Sequence, residues 1–343
     1  MKKGNQMKFN IAVVGATGNV GSQMLKILAE RNFPVGNIYA LASSSSIGKE
    51  VSFGEEKIVK VDALENFDFH KTDIVLFSVN SELSKKYVPI ATAANNIVID
   101  NTPQFRMDKN VPLVVPEVNE ESLNFFDNKN IIANPNCVVI PVAVALKPLH
   151  DLYKIRRIVL SSYQSVSGAG KKGMDELYEQ TKATYVYKRV DPNTFKKKIA
   201  FNLIPQIGEF MENGFTSEEA KVIEELQKVF ASDIEVVATC VRVPVFIGHS
   251  ISITVEFEKD IVLENVHKCL KKAPGVLVSD SKNPYYYATP VDSAGRDEVF
   301  VSRLRKDMKR KNELSMWVVS DNLRKGAALN AVQIAESLIS KYL

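Results

Sequence analysis

The sequence predicts a two-domain α/β chain: a doubly wound parallel sheet, followed by an α+β domain built on a mixed sheet. Three observations carry this. Over the first 135 residues, short and mostly apolar runs alternate with stretches of helical periodicity, the pattern of strands covered by helices on both faces. The first run passes directly into a glycine-rich loop and then a helix. From about residue 137 the runs lengthen and alternate more regularly between apolar and polar side chains.

Taken in order, residues 9–14 (FNIAVV) have the pattern of a buried strand. Residues 20–32 place Val20, Met24, Ile27 and Leu28 on one helical face. Residues 38–42, 73–79, 97–100 and 131–133 follow as the second to fifth strands. Residues 138–149 read as a helix, with Pro141 tolerated in the first turn. Beyond it lie strand patterns at 155–164, 234–245, 250–258, 299–303 and 315–319, and helices at 171–184, 217–230 and 262–272. Residues 185–200 are basic and poor in core side chains, so they read as a surface connection. The last helix, 325–342, gathers Ala328, Val332, Ile334, Ala335, Leu338 and Ile339 on one face, suited to packing back on the first domain. The expected domains are therefore 1–136 with 322–343, and 137–321. No internal repeat is present.

Composition narrows the function classes. The chain has 343 residues, 45% of them hydrophobic and 24% charged, which excludes disorder for most of it. The net charge of +4 comes with only short basic runs at 196–198 and 306–311, which argues against a nucleic-acid surface. Cys137, Cys240 and Cys269 form no C-x-x-C pair, which fits a reducing compartment and no disulfide framework. His70, His150, His249 and His267 show no metal-ligand spacing, so no metal is expected. No run reaches 18 apolar residues, so no membrane span is expected. The N-terminus lacks the apolar region of a signal peptide, which makes the cytoplasm the expected location.

The first strand runs into Gly15-Ala16-Thr17-Gly18-Asn19-Val20-Gly21. Gly15 permits the tight turn, Gly18 lets a pyrophosphate approach the backbone, and Gly21 allows close packing of helix on strand. The helix start adds free N–H groups and a positive dipole end. The context is that of a Rossmann-type dinucleotide site; the competing reading is a tight strand–helix turn without a ligand. The second strand ends in Ser43-Ser44-Ser45-Ser46-Ile47-Gly48-Lys49, with no acid to hold a ribose 2′-hydroxyl. Hydroxyls and a lysine suit a 2′-phosphate better, so NADP is favoured over NAD; the alternative is a flexible serine loop.

Asn134-Pro135-Asn136-Cys137 follows the fifth strand and precedes a helix, whose N-terminal dipole favours a thiolate. Cys137 is the candidate nucleophile, with Asn136 beside it as an oxyanion donor. Cys240 and Cys269 read as core. A thiolate beside a nicotinamide serves one chemistry: attack on an aldehyde or acyl carbon, coupled to hydride transfer. His249, after Gly248 near a strand start, is the candidate acid/base; a satisfied core or surface histidine is the alternative.

The glycine loop, VPLVVPEVN (111–119), NPNC (134–137), YQSVSGAG (163–170), IAFNLIPQI (199–207), ATCVRVPV (238–245) and WVVSDNLRKGAA (317–328) together resemble the bacterial aspartate-semialdehyde dehydrogenase family over nearly the whole chain. The resemblance implies NADPH-dependent reductive dephosphorylation of L-aspartyl 4-phosphate to L-aspartate 4-semialdehyde, on the route to diaminopimelate, lysine, threonine and methionine. It implies Cys137 as nucleophile and His249 as acid/base, with Gln164 placing the substrate. It assigns Arg242 to the substrate α-carboxylate, Glu218 to its ammonium, and Arg106 and Lys221 to phosphate. Its cofactor contacts fall on Gly15, Thr17, Gly18, Asn19, Val20, Ser43, Ser44, Ser46, Lys49, Ser78, Ser167, Gly168 and Asn322, and it implies a homodimer through the second domain. For Asn322 a helix N-cap is the competing reading, and for Glu218 and Lys221 a surface ion pair.

Four departures stand out. Ser45 replaces the arginine of the family's usual serine loop, which opens the way to NAD. Val138-Val139 replaces hydroxyl residues after the cysteine, Phe77-Ser78-Val79-Asn80 alters the third strand end, and 171–199 is short. The alternatives are a related acyl-phosphate reductase, such as an N-acetylglutamyl-phosphate reductase, and a non-catalytic dinucleotide-binding relative.

Overall fold

A computed structural model describes residues 7–55, 57–279 and 286–343. The chain forms two compact units, 1–135 with 327–343, and 136–326. The divisions fall at 135/136 and 326/327, against the expected 136/137 and 321/322.

In the first unit, β1 (Phe9–Val14) leads into α1 (Asn19–Glu30), followed by β2 (Val35–Ala42), β3 (Glu50–Phe53), β4 (Lys57–Ala63), β5 (Ile74–Phe77), α2 (Ser81–Ala93), β6 (Ile97–Asp100), α3 (Pro116–Asn119) and β7 (Ile131–Ala133). The sheet order is β3-β4-β2-β1-β5-β6-β7. All neighbours are parallel except the β3–β4 edge pair. The order reverses between β1 and β5, the position at which Rossmann-type sheets place their ligand crevice. Met24, Leu25, Ile27 and Leu28 of α1 join Leu329, Val332, Ile334 and Leu338 of the C-terminal helix in one core cluster with strand residues. The helix α1 stops at Glu30, before the end predicted at 32, because Asn32 turns to φ 52°.

Two features here depart from the sequence reading. The β3–β4 hairpin was not predicted: its inward side chains, Val51 and Phe53, then Val59 and Val61, form only short alternating runs among exposed residues. The helix α2 was also unmarked, since Pro89 lies inside it; Asn80 caps it by accepting from Leu83 N at 2.9 Å.

The second unit runs α4 (Val139–Tyr153), β8 (Ile155–Gln164), α5 (Gly170–Tyr185), α6 (Ser217–Phe230), β9 (Glu235–Arg242), β10 (His249–Phe257), α7 (Leu263–Lys272), β11 (Val276–Val278), α8 (Pro290–Ser293), β12 (Val299–Lys306) and β13 (Glu313–Ser320). Its sheet, β11-β12-β13-β10-β8-β9, is mixed: β8–β9 and β11–β12 are parallel and the other pairs antiparallel. The helix α4 packs against α6, α7, β10, β12 and β13, which explains why it is apolar nearly all round and runs past Pro148 to Tyr153. Residues 186–200 form no helix or strand, yet Ile199 and Ala200 are buried with Val166, Leu177 and Ile204. The segment therefore carries core side chains, contrary to its reading as a plain surface connection. Gln180 holds it down by accepting from Ile199 N and Ala200 N.

A π-helical turn, Arg324–Ala328, precedes α9 (Leu329–Lys341), so the last α-helix starts four residues later than its apolar pattern predicts.

Candidate active site

The glycine loop belongs to the first unit. Gly15 lies at φ +86°, and a Cβ there would sit 2.1 Å from the Ser78 carbonyl oxygen at the end of β5. A Cβ on Gly21 would sit 2.2 Å from the Gly15 carbonyl oxygen. Both positions therefore require glycine: the first for conformation and closeness, the second for closeness alone. Thr17 and Gly18 are exposed, while Asn19 and Val20 are half-buried. No side chain caps the N-terminus of α1, and no acid lies in its first turn, so its leading N–H groups suit a phosphate.

The serine loop forms a short turn. Ser43 Oγ lies 2.8 Å from Ser45 Oγ, and Lys49 Nζ donates to the buried Ser46 Oγ at 3.3 Å. Ser44 N donates to Glu65 Oε1 at 3.4 Å. Sequence reading missed this acid because it approaches from beyond β4 rather than from the end of β2. Arg106 is buried in the same unit after β6, its Nη2 donating to the Asn101 carbonyl at 2.7 Å. Nearby Asp100 has its carboxyl pushed up, chiefly by burial and against the pull of Ser84, Thr102 and Arg106.

In the second unit, Cys137 sits just ahead of α4 with Sγ 3.3 Å from His249 Nε2. His249 is fully buried, and Nδ1 accepts from Ser165 N at 3.1 Å, with Ser165 Oγ also at 3.1 Å. An Nδ1 that accepts a backbone N–H places the proton of the neutral ring on Nε2, facing the sulfur. Burial, and then the Arg242 charge, push the imidazole well below its usual value, so it is neutral at pH 7. Burial pushes the Cys240 thiol up to about 12 and raises Cys269, so neither ionises readily.

Asn136 is held at four points. Its N–H donates to Glu225 Oε2 at 2.6 Å and its Nδ2 to Glu218 Oε1 at 2.8 Å. Its Oδ1 accepts from Val138 N at 2.7 Å, and its carbonyl from Ile140 N at 3.1 Å. Gln164, ending β8, donates Nε2 to the same Glu218 Oε1 at 3.2 Å. Lys221 Nζ stands 3.7 Å from Glu218 Oε2, one turn along α6. Glu218 thus links the cysteine turn, β8 and α6.

Arg242 ends β9, is buried, and donates Nη1 to the Ser165 carbonyl at 2.7 Å. Among the described residues no carboxylate stands within ion-pair distance of it. Gly168 closes over this group: a Cβ there would lie 2.9 Å from Arg242 Nη1 and 3.5 Å from His249 Nε2. Asn322 Oδ1 accepts from Gly248 N at 2.9 Å and Ser165 Oγ at 3.0 Å, while its Nδ2 donates to Ser167 Oγ at 2.9 Å. Asn322 therefore braces the loops around His249, and the N-cap role falls instead to Asp321, which accepts from Leu323 N and Arg324 N. In this unit the residues that sequence reading missed are Ser165, Glu225 and Lys325, the last 1% exposed beside Gly326, which packs on Cys137. Among the described residues no cluster of three or more His, Cys, Asp or Glu could hold a metal, and no helix is long and apolar enough to cross a membrane.

A Rossmann-type unit joined to a mixed-sheet unit that carries a cysteine–histidine pair defines a semialdehyde dehydrogenase, an oxidoreductase of amino-acid biosynthesis. Residues 10–125 match the semialdehyde dehydrogenase NAD binding domain, and 146–325 the semialdehyde dehydrogenase dimerisation domain. The aspartate-semialdehyde dehydrogenase of Rickettsia conorii is 55% identical over 336 residues, covering 98% of this chain and 99% of that protein. The crystal structure of aspartate semialdehyde dehydrogenase II from Vibrio cholerae superposes with TM-score 0.96 at 49% identity, covering 98% of this chain and 100% of that one. The same enzyme complexed with ASA matches equally well, with TM-score 0.96 at 48% identity and the same coverage. The chain belongs to the aspartate-semialdehyde dehydrogenase family.

Proposed function

We propose that the chain reversibly converts L-aspartyl 4-phosphate to L-aspartate 4-semialdehyde with NADPH, through a thioester on Cys137, on the route to diaminopimelate, lysine, threonine and methionine. The observation that carries this is the 3.3 Å approach of Cys137 Sγ to His249 Nε2 beside the buried Arg242 and Glu218.

The Nε2–H of the neutral His249 donates to the sulfur and favours the thiolate. That thiolate attacks the acyl carbon of the substrate, phosphate leaves, and a thioester remains on Sγ. A bound nicotinamide supplies the hydride, or accepts it in reverse. Hydride addition leaves an oxyanion on the thiohemiacetal carbon, which the Nε2–H of His249 hydrogen-bonds; as the carbonyl re-forms, the C–S bond breaks and Sγ leaves as the thiolate. Asn136 keeps one Nδ2 proton on Glu218 and offers the other to the oxyanion. Gln164 places the substrate. Arg242 takes the α-carboxylate through its planar fork, and Glu218 the ammonium. Lys221 and Arg106 are the phosphate partners. An N-acetylated substrate has no ammonium for Glu218, which disfavours the N-acetylglutamyl-phosphate reductase reading.

The dinucleotide fits the Gly15–Gly21 turn, where added Cβ atoms would clash and α1 is left uncapped. Thr17, Gly18, Asn19, Val20 and Ser78 would line it there, and the family resemblance also assigns Ser167, Gly168 and Asn322 to the cofactor. Ser43, Ser44, Ser46 and Lys49 favour NADP. Ser45 in place of arginine, with Glu65 beside Ser44, lets NAD compete. Exposed Val159 and Val237 on the sheet, with Tyr187 99% exposed, support a homodimer through the second unit. A cytoplasmic location follows from the same reading.

The test is the reverse reaction. Aspartate semialdehyde, phosphate and NADP should produce reduced nicotinamide, followed by absorbance, whereas the N-acetylglutamyl aldehyde should not. Cys137→Ala should abolish the signal and keep cofactor binding. If the variant retained most of the rate, the nucleophile assignment would be wrong.

A further inference from the structure

We propose that Glu225 is a positioning residue for the nucleophile: through the Asn136 N–H its carboxylate holds the cysteine turn, so that Cys137 Sγ meets His249 Nε2. This rests on the reading of Cys137 as nucleophile, but not on the identity of the substrate.

Glu225 is 1% exposed. Carboxylates are almost never buried this completely unless they are paired and hydrogen-bonded. One of its oxygens takes the Asn136 N–H at 2.6 Å, a short charge-assisted bond to the residue preceding the cysteine. Asn136 directly precedes the nucleophile, and Pro135 before it has no N–H to share the task.

The helix that carries Glu225 is itself fixed. Thr216 and Glu219 form a capping box, and the second Glu219 oxygen accepts from Cys240 N at 3.0 Å, which ties α6 to β9. Glu218 and Glu225 are seven residues apart on one face, about 10 Å along the axis. One grips the side chain of Asn136 and the other its backbone. Their tasks differ once substrate is bound. Glu218 must also answer the substrate ammonium, so its hold on Asn136 is shared. Glu225 is assigned no substrate group, so its hold on the turn is not shared with substrate.

The experiment compares Glu225→Ala and Glu225→Gln with the unsubstituted protein. The first readout is the pH profile of Cys137 alkylation by iodoacetamide, followed peptide by peptide, with Cys240 as internal control. The second is kcat and KM for the semialdehyde, and the third is the melting temperature. Alanine leaves the Asn136 N–H without its acceptor and loosens the cysteine turn, so the pH profile of Cys137 alkylation should be displaced and kcat should fall about tenfold or more, with KM for semialdehyde within about twofold. Glutamine retains an acceptor oxygen of the same reach and should recover much of the loss. If alanine prevents folding, glutamine alone decides: a displaced alkylation profile with a smaller fall in kcat supports the proposal. Superimposable alkylation profiles and unchanged kcat in every variant that folds, with or without a lower melting temperature, would make Glu225 a stability residue and overturn it. Alkylation needs no substrate. A Glu225-dependent profile in a protein that ignores aspartate semialdehyde would remove the substrate reading and leave this one standing.

Discussion

Replacing Gly168 by alanine tests one steric contact, with the dinucleotide held saturating so that its binding does not enter the readout. Gly168 is not among the glycines at positive φ, so its backbone accepts an L side chain without strain. The new Cβ would stand 2.9 Å from Arg242 Nη1, whereas ordinary contact is about 3.5 Å, so the guanidinium must yield by about 0.6 Å. Nη1 is the atom that donates to the Ser165 carbonyl at 2.7 Å, and the side chain is buried, so it has little room to relax elsewhere. Losing or misaligning one hydrogen bond to a charged group costs about 1.5–3 kcal/mol, which is about 10- to 150-fold in affinity. The same Cβ lies 3.5 Å from His249 Nε2, an ordinary contact, so the acid/base group is not displaced. The loss should therefore appear in KM for aspartate semialdehyde and much less in kcat. Steady-state kinetics on Gly168→Ala measure both. A kcat/KM within twofold of the unsubstituted protein would refute the role of Arg242 as the carboxylate partner held under Gly168.

Two further outcomes follow from the same geometry. The folded-state pKa of His249 is depressed by burial first and Arg242 second, while its unfolded value is about 6.5. Between those values the unfolded chain binds a proton that the folded chain refuses, so this contribution to stability is present above about pH 6.5 and is lost as pH falls. The slope is about 1.4 kcal/mol per pH unit. Urea unfolding of His249→Asn between pH 5 and pH 7.5 should lack that slope, and an unchanged slope would assign it to other groups. On the cofactor loop, Ser45→Arg should raise the NADP-over-NAD preference about tenfold or more, read as the ratio of dissociation constants by nicotinamide fluorescence. No change there, with a rise in Glu65→Gln instead, would place discrimination on Glu65.

The elements that the sequence announced were those whose pattern is local. The run FNIAVV with its glycine turn, the α1 face of Met24, Ile27 and Leu28, and the NPNC step into α4 each declare themselves within a dozen residues. Strands β3 and β4 did not: Val51 and Phe53, then Val59 and Val61, do turn towards the core, but the alternation lasts only a few residues and Ile58 breaks it by facing out. Pro89 concealed α2, and the π-helical turn at Arg324–Ala328 preserved an apolar face while shifting the start of α9. At the site, Cys137, His249 and Gln164 carried recognisable neighbours in sequence. Glu225 did not: in the helix it is one glutamate among several, and its partner lies 89 positions away. Gly168 and Ser165 were visible only as members of a motif. The constraints on them come from Arg242 and His249, which the chain brings close only once β8, β9 and β10 have paired.

The first unit is discontinuous: the chain leaves it at residue 135 and re-enters at 327, bringing Leu329, Val332, Ile334 and Leu338 to the cluster that holds Met24 and Leu28. During synthesis, then, residues 1–135 emerge from the ribosome with an apolar flank that the last helix covers in the folded unit. The insert, being contiguous, can fold first. A nascent chain halted anywhere short of its final helix would display that flank to chaperones and proteases.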